Sequence, residues 1–153
     1  MALMSLMRTT GWSVMATIDI TTEGSLLIAT VTGNITADEL IAFVFEYYPN
    51  NIVKNVIWDF TNGSLKSISQ DGFGAIAKTT KMAVAGGSRR GGKTVFVGSD
   101  DCEYALSRMY MVIAEVIGVP IKYNVCKSIE EARNWLEQEI KEPIVETPII
   151  TSR

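Results

Sequence analysis

Short strand-like segments, Val56-Ile57-Trp58, Thr94-Val95-Phe96-Val97 and Ile121 to Cys126, alternate in this chain with longer stretches whose apolar residues recur every three or four positions. Parallel strands cannot be joined by a tight turn and need a crossover of a dozen or more residues, usually a helix. The alternation therefore predicts an α/β domain with a sheet covered on at least one face.

The first two strands stand apart from that rule. Ala16 to Ile20 and Leu26 to Val31 flank a polar Glu23-Gly24 turn and read as a hairpin. Thr36 with Glu39 forms a capping box, after which Leu40, Phe43, Val44 and Tyr47 keep helical spacing up to Pro49. A second helix, Phe73 to Ala85, places Phe73, Ile76, Ala77, Thr80 and Val84 on its inner face. A third opens near Asp100 and runs to Gly118 and Pro120, with Ala105, Leu106, Met109, Val112, Ile113, Val116 and Ile117 read as its core side. Ser128 and Glu131 cap a fourth, which buries Ile129, Ala132, Trp135 and Leu136. The predicted order is β-β-α-β-α-β-α-β-α, a mixed sheet with four helices. Residues 16–140 form the single domain, 1–15 an extension with no visible role (Met15 could serve as a start), and 141–153 an extended tail.

Composition removes several function classes. With 153 residues and 47% apolar content the chain can bury one sizeable core, and a net charge of −3 gives no basic field for nucleic acid. The sequence contains no histidine, so it lacks the commonest general base and zinc ligand. Cys102 and Cys126 are too far apart for a redox or zinc motif and read as reduced thiols in a cytoplasmic protein. No run reaches the roughly 18 apolar residues of a membrane span. Nothing calls for a cofactor or a resident metal. Asp100, Asp101 and Glu103 could ligate a hard cation, but acids in a first helical turn are what the helix dipole favours without one.

One motif points elsewhere. Gly87-Ser88-Arg89-Arg90-Gly91-Gly92-Lys93-Thr94 matches the phosphate-binding pattern G-x-x-x-x-G-K-[ST] at every defined position. Such a loop works by leaving a strand and opening a helix whose free N–H groups receive the phosphates. Here a helix precedes and a strand follows, so Arg89, Arg90 and Lys93 read as an anion patch on a helix-to-strand connection. Nucleotide binding ranks third among the functional readings.

The element order, together with Val56-Ile57-Trp58-Asp59-Phe60 running into a Ser/Thr-rich loop, Gly72-Phe73-Gly74 opening a helix, and the closing Glu130-Glu131-Ala132-Arg133-Asn134-Trp135-Leu136, resembles the STAS superfamily. The last motif, with Leu106-Ser107-Arg108-Met109-Tyr110, looks like the bacterial STAS-like branch related to lipid-transfer folds. The resemblance covers residues 16–140 and implies a regulatory partner-binding module, related to the anti-sigma-factor antagonists. Their loop reads D-S-S-G-L-G, with the first serine phosphorylated. Here Gln70 stands at that position, between Ser69 and Asp71, so a phosphate would have to fall on Ser67 or Ser69. Ser69 also suits an N-cap.

Asp59, Ser99 and Lys127 follow successive strands in the order of a receiver domain, but a hairpin stands where receivers carry their Mg²⁺-binding acidic pair; Asp59 reads instead as a polar strand terminus. Tyr104, Arg108 and Met111 form a stripe beside the core side of the third helix, a composition typical of protein interfaces. The expected surface is therefore Asp59, Ser67, Ser69, Asp71 and Gly72 with Tyr104, Arg108 and Met111. It would meet a protein partner or a second copy of the chain without catalysis. The alternative is a carrier or sensor of a small apolar or lipid-like anion, held in a crevice by Arg108.

Overall fold

The computed structural model describes residues 3–7, 16–49, 53–85 and 91–141. Over the predicted domain the elements follow the expected order: β2 (Thr17–Glu23), β3 (Leu26–Asn34), α1 (Ala37–Tyr47), β4 (Asn55–Ser64), α2 (Gln70–Val84), β5 (Lys93–Val97), α3 (Asp101–Ile117), β6 (Lys122–Cys126) and α4 (Ile129–Lys141). One strand was not anticipated. Within the N-terminal extension, β1 (Leu3–Met7) pairs antiparallel with β2, Ser5 opposite Asp19. The C-terminal tail from residue 142 lies outside the described residues.

Among the described residues the sheet has six strands in sequential order, antiparallel from β1 to β3 and parallel from β3 to β6. Helices α1, α2 and α3 pack on one face, where Val56, Trp58, Phe60 and Phe96 of the sheet meet Phe43, Phe73, Ile76 and Tyr110. On the opposite face α4 lies mainly over β4 to β6, packing Ala132 and Leu136 on Ile57, Val95 and Val97, with Ile28 of β3 in the same cluster. This partial cover explains why β2 alternates: Ile18 and Ile20 are buried, while Thr17, Asp19 and Thr21 on the uncovered side are half-exposed. Because the order of the parallel strands runs one way across the sheet, the described strands form no topological switch point. The crevice that doubly wound sheets open at such a point is therefore missing.

Helix ends follow their local chemistry. Thr36 and Glu39 close a full capping box, with the Thr36 N–H donating to Glu39 Oε1 at 2.9 Å and the Glu39 N–H to Thr36 Oγ1 at 3.2 Å. The Glu131 N–H donates to Ser128 Oγ at 3.1 Å before α4. Ser69 accepts from the Gly72 N–H at 3.0 Å, which starts α2 at Gln70, three residues ahead of the predicted Phe73. Gly118, with φ of 90°, ends α3 in the left-handed conformation.

β4 departs most from expectation. Instead of stopping at Asp59 it runs to Ser64, with a bulge: Thr30 pairs with Asp59 and Thr32 with Asn62, leaving one more residue on β4 than on β3. Asp59 Oδ1 accepts from the backbone N–H of Thr61 at 2.9 Å and from its hydroxyl at 2.6 Å, supplying partners where the ladder is broken. Asp59 thus borders a bulge within a strand and is not a strand terminus.

Candidate functional site

The loop from β4 into α2 is tied down from a distance in sequence. Ser64 donates its hydroxyl to Glu103 Oε2 at 2.7 Å, and the Leu65 N–H donates to Glu103 Oε1 at 2.9 Å. The Lys66 N–H in turn donates to Ser64 Oγ at 3.0 Å. Glu103 is 4% exposed. Asp100 caps α3 by accepting from the Glu103 N–H at 2.8 Å, so the spacing is that of a capping box. The Glu103 side chain leaves the box and reaches the neighbouring loop. No local sequence signal distinguishes these two uses.

That clamp sets the stage for the predicted switch segment. Leu65 and Ile68 are buried, anchoring the loop, while Ser67, Ser69 and Asp71 are exposed. The Ser69 hydroxyl is engaged as the α2 cap. Gly72 is half-buried; a Cβ there would stand 2.9 Å from Ile68 Cγ2 and 3.3 Å from Ala37 Cβ, so its place is at the packed junction of α2 with α1.

α3 buries only part of the side its sequence suggested: of the seven residues expected there, Leu106, Ile113 and Ile117 pack against the core and the other four do not. Its buried residues are Glu103, Ser107, Tyr110 and Ala114, with Leu106, Ile113 and Ile117 partly covered. Ala105 is exposed, and Met109, Val112 and Val116 are 42%, 51% and 82% exposed. These four, read as core, therefore form the outer face. The reason is that the helix is apolar nearly all round, so periodicity alone does not choose the inner side. A polar pair decided it: Glu103 is buried because Ser64 and Leu65 satisfy it.

Tyr104, Arg108 and Met111 do lie along one side of α3. Tyr104 and Met111 pack partly against the large core, and Arg108 is exposed. Lys127 at the end of β6 sits over the Tyr104 ring at 5.2 Å and pairs with Asp101 at 2.9 Å. The Lys127 hydrogen bond, then its charge, holds the Asp101 carboxyl below its usual range, and Asp101 raises Lys127 in the same way. Lys127 is thus engaged with Asp101 and not with Asp59. Asp59 itself alternates with Trp58 and Phe60, which face α1 to α3, and so stands on the α4 side of the sheet. The sheet separates it from the rest of the expected surface.

Two hollows flank this region. Beneath the helices, Tyr48, Trp58, Phe60, Phe73, Phe96 and Tyr110 line an apolar cavity of about 30 Å³. Small-molecule pockets usually occupy ~300–1,000 Å³, so this one has room for water and not for a lipid. Inside it the Trp58 indole donates to the Tyr48 hydroxyl at 3.1 Å. On the surface between α2 and α3, Asp71, Gly74, Ala75, Lys78, Ile113 and Ile117 border an open groove of about 430 Å³. Arg108 lines neither.

The P-loop-like segment has the predicted order. Lys93 is the first residue of β5, and its backbone N–H donates to Asn55 Oδ1 at 3.0 Å. Gly91 and Gly92 are stitched to the start of β6, the Gly91 N–H donating to the Pro120 carbonyl and the Lys122 N–H to that of Gly92. No helix N-terminus follows Lys93 directly. Arg89 and Arg90 lie outside the described residues. Among the described residues, no group of three or more acidic or cysteine side chains is placed to hold a metal. Cys102 is exposed, whereas burial pushes the Cys126 thiol pKa up. No described helix is long and apolar enough to cross a membrane. No protein-family model matches the chain, and comparison with curated proteins returns no match.

Proposed function

We propose that this chain is a non-enzymatic recognition module of STAS-like type, acting through the outer face of α3 and the neighbouring start of α2. The observation that carries the reading is the exposed apolar row Met109, Val112 and Val116 on a rigid helix whose other side is locked into the core. Val116 at 82% exposure is not a side chain shielded by neighbours. Contiguous exposed apolar surface rimmed by charge marks interaction sites in folded proteins. Met82 near the end of α2 is also exposed, and Lys81 beside it donates to the Ile117 carbonyl at 3.0 Å, which links α2 to α3. Asp71 and Gly74 bring the opening of α2 to the same groove.

A photo-crosslinking amino acid at position 112 tests the reading in the cells that make the protein. Discrete crosslinked species are expected from position 112 and not from Thr32 on the uncovered sheet face. Crosslinking from neither position would remove the helix face as a recognition surface.

A second reading, a carrier for a small apolar anion, draws on the α2–α3 groove with Lys78 at its rim. Native mass spectrometry separates the two. An adduct of a few hundred daltons that is lost on denaturation supports the carrier, whereas masses of the bare chain or its multiples support recognition of protein.

A further inference from the structure

We infer that α3 pairs antiparallel with α3 of a second copy of this chain, about a two-fold axis passing near Val112; the inference rests on the recognition reading above and names its partner. The outer residues Ala105, Met109, Val112 and Val116 follow one another at intervals of four, three and four, the spacing of the apolar seam in a two-helix coiled coil. All four are exposed. A helix that has already buried its inner side therefore carries a second seam facing outward.

Charge decides both the partner and its direction. Arg108 and Glu115 lie seven residues apart on one flank of the seam, and Leu106 and Ile113 lie seven apart on the other. Arg108 and Glu115 are exposed, and among the described residues neither side chain has a hydrogen bond or ion pair. A two-fold axis perpendicular to the plane of two antiparallel helices sets each flank against the same flank of its mate. Arg108 then meets Glu115 of the second copy, and the symmetry repeats the contact. Met109 falls opposite Val116, and Val112 opposite itself. These three pairings all centre within about half a residue of Val112, which is the self-complementarity that a two-fold interface requires. Parallel pairing would instead set the charged flank against Leu106 and Ile113, leaving both charges unmatched. Such charges chiefly fix orientation, while the apolar seam supplies the affinity.

Sedimentation equilibrium on the full chain tests this, with circular dichroism to confirm that each variant is folded. The parent is expected to dimerise, and Arg108→Glu and Glu115→Arg are each expected to weaken the dimer at least tenfold. The double reversal Arg108→Glu/Glu115→Arg should restore it. In a Cys102→Ser background, Val112→Cys should form a disulfide-linked dimer on mild oxidation, whereas Met109→Cys should not. A parent that stays monomeric at every concentration, or a folded double reversal that does not recover, overturns the pairing. If the parent is monomeric while position 112 crosslinks a different protein, self-pairing fails and the recognition reading stands. A monomer that crosslinks nothing sinks both.

Discussion

Glu103 accepts the Ser64 hydroxyl at 2.7 Å, joining the first turn of α3 to the end of β4 across 39 residues of sequence. The same carboxyl group takes the Leu65 N–H, so one side chain satisfies two buried donors of the loop that leads to Ser67 and Ser69. The geometry of that loop is thus set by α3, the helix that also carries the proposed recognition face.

Removing the acceptor should be felt in the loop first. Glu103→Ala leaves the Leu65 N–H and the Ser64 hydroxyl unpaired in a buried place, which costs about 1–3 kcal/mol for such a group. Urea denaturation should show a lower midpoint, and hydrogen exchange should rise at residues 64–69 more than in β4. Glu103→Gln keeps one carbonyl acceptor and should lose less. An unchanged midpoint for Glu103→Ala would show that the clamp contributes nothing to stability.

One turn further along, Ser107 presents the reverse case. It is fully buried, and its Oγ has no hydrogen-bond partner. Ser107→Ala deletes an unsatisfied polar atom without adding bulk, so it should be neutral or stabilise by up to about 1 kcal/mol. A clear loss of thermal stability in this variant would mean that the hydroxyl finds a partner in solution.

These two residues show where the sequence was legible and where it was not. Element order could be read because its signals are local: Thr36 with Glu39, Ser128 with Glu131, Gly118 after α3. The facing of α3 could not, because Met109, Val112 and Val116 look like core to any periodicity argument. The residues truly inside include Ser107 and Glu103, and the Glu103 carboxyl is satisfied by a loop 38 or more positions away. The extension of β4 was equally hidden, since Thr61-Asn62-Gly63-Ser64 carries no apolar signal and is held by pairing with Thr32, Gly33 and Asn34. β1 needs a partner strand to exist at all, and edge pairing leaves little trace in composition. Asp59 is visibly polar in the sequence, but its place beside a bulge is set by a pairing register that no local signal carries.

On the other face of the sheet, Arg133 of α4 grips Glu23 at the end of β2 with two contacts, 2.9 and 3.1 Å. These hydrogen bonds, and then the guanidinium charge, lower the Glu23 pKa. The folded value lies below the unfolded one, so the contribution is present above the ordinary carboxylate pKa and is lost as pH falls through the folded value. In an NMR titration Glu23 should protonate below the usual carboxylate range, and Arg133→Gln should return it to that range. Both groups are substantially exposed, so the melting temperature at neutral pH should barely move. A Glu23 titration that is the same in both proteins would show that the pair is not formed in solution.

Ser69 offers the most direct way to separate a structural hydroxyl from a regulatory one. Its Oγ accepts the Gly72 N–H at 3.0 Å, and its backbone is extended as an N-cap requires. Loss of such a cap typically costs about 0.5–2 kcal/mol, whereas aspartate caps as well as serine and adds a charge that the helix N-terminus favours. Ser69→Ala should therefore lower stability by that amount, and Ser69→Asp should match the parent. The two variants then part the roles. If Ser69 only caps, Ser69→Asp should leave self-association and crosslinking from position 112 unchanged. If a negative charge here controls recognition, Ser69→Asp should alter both while stability holds, and Asp71 and the α2–α3 groove beside it would be the surface through which the charge acts.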